Sequence, residues 1–147
     1  MKTIKEPNVL LHTQCKQVTD FDEAKQIADK LLLKVKSVAK FWNLWLGFAA
    51  NQIGYPKRII VLRKGKNKYE VLINPSFVEE RFPFLQLGKC YSINGVYLVK
   101  SHLWSKVRYQ DLNGDWSEKI IRGPSAIYHE IDHINGILIS ENGFRIL

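Results

Sequence analysis

The clearest periodic pattern in the chain lies between Asp20 and Lys40, where apolar residues recur every three or four positions. This spacing places them on one face of an α-helix. Asp20 followed three residues later by Glu23 is typical of a helix start, and lysines crowd the later turns, where positive charge interacts favourably with the helix dipole. We predict a helix from about Asp20 to Lys40 whose apolar stripe faces the core.

Residues 57–122 have the composition of β-structure. Segments 58–63 and 68–73 are rich in β-branched residues and flank a short turn with Gly and Asn, which predicts a hairpin. The segment that follows begins with Asn74 and Pro75. Because proline cannot donate to a strand ladder, we expect the second strand of this hairpin to end there.

A second hairpin is predicted further along the chain. Segments 106–112 and 116–121 flank Asn113-Gly114, a dipeptide that suits a tight turn between antiparallel strands. A final helix follows, starting near residues 123–125 with a proline in its first turn and ending at Gly136. The patterns together predict an α+β fold, with antiparallel β-sheets packed around this central helix and a further helix near the N-terminus.

The chain of 147 residues is near the usual size of one domain, and we expect residues 1–147 to form a single catalytic domain. No apolar run is long enough to span a membrane, and the N-terminus lacks the features of a signal peptide. We therefore expect a cytoplasmic protein without a membrane partner, in the host cytoplasm if a virus encodes it. In that compartment a disulfide between the two cysteines is not expected, and Cys15 is interpreted as a structural thiol.

The formal net charge of +8 raises the question of an anionic partner. Lysines are spread through the chain without a dense run, and no nucleic-acid-binding motif is present, so no specific nucleic acid is expected. The charge favours a solvated basic surface. Salt-dependent contact with the ribosome surface stays open as an alternative.

The strongest chemical signal is the run H-E-x-D-H at residues 129–133. On a helix, residues four apart share one face, so His129 and His133 can bind one metal ion. Glu130 is then a candidate general base for an attacking water. Asp132 either orients neighbouring groups or is a solvated helix charge.

A catalytic site of this kind needs about three protein ligands. Gly136 fits the metzincin pattern, but Ile139 occupies the position of its third histidine. Cys90 is the best candidate for the third ligand because turn-forming residues surround it and a thiolate binds a borderline-soft ion well. The other candidates are Cys15, Glu141, His12 and His102.

Three segments, 45–52, 88–92 and 129–133, resemble the motifs of the peptide deformylases. That family carries G-x-G-x-A-A-x-Q, E-G-C-x-S and H-E-x-D-H in this order, and the agreement in order and spacing extends over nearly the whole chain, which resembles a short form of the family. The chain departs from these motifs at three positions, which bear on substrate fit more than on metal binding: Trp45 and Lys89 stand in place of glycines, and Gly88 in place of the glutamate.

The resemblance implies a hydrolase that removes the formyl group from N-formylmethionyl peptides or nascent chains and releases formate. It implies one divalent metal ion, Fe(II) or Zn(II), held by Cys90, His129 and His133. It further implies contacts to the oxyanion by Gln52 and by the backbone N–H of Tyr91.

For substrate binding, the resemblance implies peptide-backbone contacts at Leu46 and Gly47. Two alternatives remain open. One is a zincin-like metallopeptidase in which Glu141 is the third ligand and Cys90 is structural. The other is a metal-bearing binding module that has lost turnover.

Overall fold

The computed structural model describes residues 2–147, and its first long element is helix α1, Phe21–Val38. The Asp20 side chain caps it by accepting hydrogen bonds from the N–H groups of Asp22 and Glu23, at 3.0 and 3.2 Å. The predicted start is therefore confirmed, and the helix ends two residues before Lys40. The apolar stripe packs into the core as expected; its buried residues are Ala24, Ile27, Ala28, Leu31 and Val35.

Six strands form one antiparallel sheet. They are β1 (Gly47–Ala49), β2 (Ile59–Gly65), β3 (Lys68–Gly88), β4 (Tyr97–Gln110), β5 (Trp116–Arg122) and β6 (Gly143–Arg145). Strands β1 to β5 lie side by side in chain order, and β6 pairs with the start of β4. Both predicted hairpins are confirmed, the first between β2 and β3 and the second between β4 and β5.

The expected end of the first hairpin at Pro75 is wrong, because β3 continues through this position to Gly88. The pairing with β4 shifts register between Ile73 and Ser76, and Asn74 adopts a left-handed conformation with φ 52°. At this bulge Pro75 is not paired with a residue of β4, so the strand pairing does not need the N–H that proline lacks. The Asn74 side chain stabilises the bend by bonding both backbone groups of Val18, at 2.8 and 3.0 Å.

The sheet separates two apolar clusters, and β2 contributes to both. Ile59 and Val61 pack on the side of α1, whereas Ile60 and Leu62 pack on the side of a second helix, α2 (Ile127–Ile134). Because both faces of β2 are covered, its residues 59–62 are all apolar instead of alternating between apolar and polar. The helix that carries the histidines is thereby held against the centre of the sheet.

Helix α2 begins slightly later than predicted. Pro124 precedes the helix, and the Ser125 hydroxyl accepts a hydrogen bond from the N–H of Ile127, at 3.2 Å. The predicted end is confirmed: Gly136 has φ 77°, which favours glycine, and its N–H donates to the carbonyl of His133. A single helical turn, α3 (Ile139–Asn142), leads into β6. Within residues 2–147 no helix has the length and apolarity needed to cross a membrane.

Candidate metal centre and active site

Helix α2 places His129 and His133 on one face, as the four-residue spacing predicts. Their Nε2 atoms are 2.9 Å apart, and the two rings meet nearly at right angles. His133 is completely buried, and 18% of the His129 side chain is exposed. Two imidazole nitrogens therefore converge on one place, and of the two rings only that of His129 is partly exposed.

Cys90 completes a group of three potential metal ligands. It follows the end of β3 and is buried, and its Sγ lies 3.2 Å from His133 Nε2. The three ligand atoms all lie within 4.8 Å of one another. The N–H of Ser92 donates to the sulfur at 3.4 Å, which holds the thiol in this position.

The three donors suit a divalent metal ion. Burial raises the pKa of the Cys90 thiol to about 12 and lowers the pKa of His129 to about 4. Burial and the neighbouring His129 also lower the pKa of His133. Without a cation these groups are neutral, and each imidazole can present a lone pair. A divalent cation would favour the thiolate over the thiol, so one sulfur and two nitrogens match the ligand chemistry of zinc and similar metals.

Glu130 is fully buried beside the three donors. Within residues 2–147 neither of its carboxylate oxygens has a hydrogen-bond partner, and Oε1 lies 3.8 Å from His129 Nε2. Burial, together with the charge of Asp132, raises the pKa of Glu130 well above its ordinary value. A buried carboxylate without partners is costly unless it faces a polar ligand, so its position is suited to proton transfer in this cavity.

Gly47 makes room for this carboxylate. A Cβ atom at position 47 would lie 2.8 Å from Cγ and 2.9 Å from Oε2 of Glu130. Glycine is therefore favoured at position 47 because a side chain would collide with Glu130, and not because the backbone conformation requires glycine. The structure places Gly47 beside Glu130, where the absence of a side chain permits the close approach of this carboxylate.

Gln52 reaches the site from the turn that follows β1. Its Oε1 accepts a hydrogen bond from the N–H of Ala49 at 3.0 Å, and its Nε2 donates to the Ser92 hydroxyl at 3.1 Å and lies 3.8 Å from Cys90 Sγ. The Ser92 hydroxyl in turn donates to the carbonyl of Ile4 at 2.7 Å. Ser92 thus orients Gln52, a role that its place in the second motif signalled but that the sequence interpretation did not assign.

The site opens into a cavity of about 450 Å³. Leu46, Gly47, Gln52 and Tyr91 line it together with the metal-ligand candidates Cys90 and His129, as the resemblance implies. The Tyr91 ring stacks on Phe48, with ring centroids 5.3 Å apart. Apolar side chains and one lysine form the outer wall: Trp45, Leu85, Leu87 and Lys89.

The structure does not bring the other candidate ligands to this cavity. The carboxylate of Glu141 lies 3.0 Å from His12 Nδ1 and accepts a hydrogen bond from Leu138, so its role as third ligand is wrong. His102 lies 2.7 Å from Glu80. Cys15 is buried in the apolar cluster around α2, as its structural interpretation predicts.

Asp132 is not part of the group of donor atoms formed by Cys90, His129 and His133. Its carboxylate accepts a hydrogen bond from Asn142 Nδ2 at 2.8 Å, and burial raises its pKa to about 6. The contact fastens α3 to α2. The hydrogen bond from Asn142 gives Asp132 a structural role between α2 and α3, and an orienting role toward the metal-ligand candidates stays a prediction.

A family model described as polypeptide deformylase matches residues 1–143. The chain belongs to the peptide deformylase family. The peptide deformylase of Thermoanaerobacter pseudethanolicus is 37% identical over 121 residues, which cover 79% of this chain and 74% of that protein. Peptide deformylase 1 of Bacillus anthracis is 32% identical over 151 positions, covering 99% of this chain and 93% of the relative.

Solved structures of peptide deformylases have the same fold. The enzyme from Thermotoga maritima superimposes with a TM-score of 0.86 at 26% identity, covering 99% of this chain and 97% of that one. An inhibitor complex of the Plasmodium falciparum peptide deformylase superimposes with a TM-score of 0.82 at 28% identity, covering 96% and 88%. The predicted α+β fold and the predicted enzyme class, a formyl-removing metallohydrolase, are confirmed.

Proposed function

We propose that the chain hydrolyses the formyl amide of N-formylmethionyl peptides with Cys90, His129 and His133 as the metal ligands and Glu130 as the group that transfers protons. The observation that carries this assignment is the convergence of three donor atoms within 4.8 Å beside a buried carboxylate without partners. These three residues would hold a divalent ion, which would lower the pKa of a water toward about 7 and polarise a carbonyl.

Glu130 takes a proton from the attacking water as the water oxygen bonds to the formyl carbon. The carbon–nitrogen bond then breaks, and Glu130 returns the proton to the leaving amine. One water is consumed, and the products are formate and a peptide with a free methionine amino group. The raised pKa of Glu130 supports this exchange, because it makes the carboxylate a stronger base toward the water and keeps the proton on the carboxyl group until the amine leaves.

Gln52 and Tyr91 stabilise the oxygen of the formyl group as it gains negative charge. Gln52 Nε2 lies at the cavity near Cys90 Sγ, and its carbonyl oxygen is already occupied by Ala49, which leaves the amide hydrogens toward Ser92 and the site. The backbone N–H of Tyr91 is the second donor. Loss of one such donor typically costs about 3 to 4 kcal/mol of transition-state stabilisation.

The substrate backbone binds along Leu46 and Gly47, which line the same cavity. Fe(II) and Zn(II) are the proposed metals, because a thiolate and two imidazoles suit both. The site draws on β1, on the residues after β3 and on α2, which supports one catalytic domain over residues 1–147. A single unfolding transition that coincides by circular dichroism and tryptophan fluorescence would support this unit, and two separated transitions would contradict it.

Formate release from a formyl-Met tripeptide tests the function. Protein reconstituted without oxygen with Fe(II), and separately with Zn(II), is expected to bind one ion per chain and to turn over. Absence of turnover with either metal, despite one bound ion per chain, would contradict the assignment and favour a metal-bearing binding module.

Nascent chains in the cytoplasm are the proposed natural substrates. The formal net charge of +8 supports weak, salt-dependent contact with the ribosome surface. Co-sedimentation with ribosomes at low salt that disappears at high salt is the expected result. Equal amounts of protein in the pellet with and without ribosomes at low salt would refute this contact.

A further inference from the structure

The outer wall of the active-site cavity carries an unbalanced positive charge. Lys89 is exposed and lines the cavity, and among the lining residues the only carboxylate is Glu130, which is buried at the far end beside the metal-ligand candidates. Within residues 2–147 no hydrogen bond or ion pair occupies the Lys89 ammonium group. This lysine is therefore available to a ligand that extends out of the cavity.

The backbone that carries Lys89 is fixed on both sides. Gly88 ends β3 opposite Tyr97, and a Cβ atom at Gly88 would lie 2.9 Å from Val99 Cγ2, so this position packs tightly against β4. Cys90 is buried against His133 on the other side. The backbone of Lys89 is therefore held in a fixed position next to Cys90, and only the side chain of Lys89 is free to move.

The adjoining surface has the same sign of charge. A second cavity shares the wall formed by Trp45 and residues 124–126, and its lining includes Lys64 and Arg122 but no acidic residue. Lys64 lies 3.8 Å from Glu70, so Arg122 makes the larger contribution to the positive charge of this wall. Arg122 is exposed. A peptide that leaves the active site past Trp45 consequently stays in a region of positive potential.

We propose that Lys89 is a specificity-determining residue that favours substrates with a carboxylate shortly after formylmethionine. The carboxylate is either an acidic side chain or the terminal carboxylate of a short peptide. The inference rests on the proposed function, because it concerns which formyl peptides the same site prefers. Since Lys89 is exposed and its ion pair is partly screened, the expected preference is about three- to fivefold in kcat/KM, carried by KM.

The test compares four formyl tripeptides of different charge: an amidated formyl-Met-Ala-Ser, its free-acid form, and amidated peptides with Asp or Lys in place of Ala. The wild-type protein, Lys89→Gln and Lys89→Glu are assayed in low salt. Lys25→Gln, which removes an exposed lysine on α1 outside the cavity, is the matched control for net charge.

We expect the wild-type protein and Lys25→Gln to prefer the Asp peptide or the free acid, and Lys89→Gln to lose that preference. Lys89→Glu should prefer the Lys peptide. Preference for the Asp peptide alone assigns the carboxylate to a side chain, and preference for the free acid alone assigns it to the terminus. Equal ratios in wild type and Lys89→Gln would overturn the inference while turnover of the neutral peptide upholds the proposed function. Absence of turnover on all four peptides would overturn both.

Discussion

The two cysteines of this chain have the same burial but different surroundings. Cys15 and Cys90 are 4% and 3% exposed, both are free, and burial raises their thiol pKa values to about 11 and about 12. The sulfur of Cys15 lies in an apolar cluster and its nearest acceptor is the carbonyl of Thr13 at 3.9 Å. The sulfur of Cys90 lies 3.2 Å from a histidine nitrogen.

Burial and a raised pKa therefore do not distinguish a metal-binding thiol from a structural one here. The two thiols are distinguished by their neighbours, because only the sulfur of Cys90 lies close to other potential metal ligands. Cys15 supports the site indirectly, because its N–H donates to the carbonyl of Ile134 at 2.8 Å and so fastens the end of α2. One cysteine is a candidate metal ligand, and the backbone of the other helps to hold the helix that carries the two candidate histidines.

The largest expected effect separates the two cysteines by substitution. Cys90→Ala removes one of three ligands, so metal content should fall well below one ion per chain and formate release should fall to background. Cys15→Ala should keep one ion per chain and lose about 1–2 kcal/mol of unfolding free energy. Metal analysis and chemical denaturation check both variants. Loss of metal in Cys15→Ala with full retention in Cys90→Ala would reverse the assignment.

The next largest expected effect separates the role of the Glu130 carboxylate from that of the proposed metal ligands. Glu130→Gln keeps the shape of the side chain but cannot accept the proton, so kcat should fall by about 10²- to 10⁴-fold with metal content unchanged. Glu141→Gln is the control, since its carboxylate contacts His12 and Leu138 outside the cavity. A larger loss of activity in Glu141→Gln than in Glu130→Gln would contradict the geometry.

A smaller effect concerns the space around the carboxylate. Gly47→Ala places a methyl group 2.8 Å from Glu130 Cγ, so the carboxylate must move, and kcat should fall at least about tenfold because catalysis is sensitive to displacements of about 1 Å. Gly65→Ala is matched to it, since a Cβ atom there meets nothing within 4 Å. Equal kcat in the two variants would show that Glu130 has more freedom than the packing indicates.

The smallest effect is the contribution of Cys15 to the pH dependence of the unfolding free energy. Its thiol has a pKa of about 11 in the folded chain against an ordinary value of 9.0, because burial disfavours the thiolate. Between these values the unfolded chain binds fewer protons, so unfolding free energy should fall as pH rises, by at most about 1.4 kcal/mol per pH unit. Denaturation at several pH values should show this additional slope in the wild type and not in Cys15→Ala; parallel curves would contradict it.

Local signals account for the elements that the sequence predicted well. The cap at Asp20, the Asn113-Gly114 turn and the end of α2 at Gly136 each depend on residues within a few positions of one another. The pair of histidines is also local, because a helix brings residues four apart to one face. Three separated motifs indicated the family and supported Cys90, which its turn-forming neighbours and thiolate chemistry had already favoured.

Contacts between distant segments could not be read from local patterns. Pro75 signals the end of a strand in isolation, but a bulge fixed by Asn74 and Val18 carries β3 past it. Glu141 is close to His133 in sequence, yet α3 turns its carboxylate toward His12. At both positions a contact with a residue distant in the sequence determines the structure, against the expectation from neighbouring residues.

The sequence by itself determined helices α1 and α2, the turns of the two hairpins and the identity of the chemical groups, because these follow from side-chain type and short-range spacing. Only the tertiary structure decided that the sulfur of Cys90 meets His133, 43 residues away, and that Gly47 leaves the space that Glu130 fills. It also decided that Lys89 faces the cavity rather than bulk solvent alone. These relations depend on how the sheet folds around α2, which buries groups from separate segments against one another and fixes their distances.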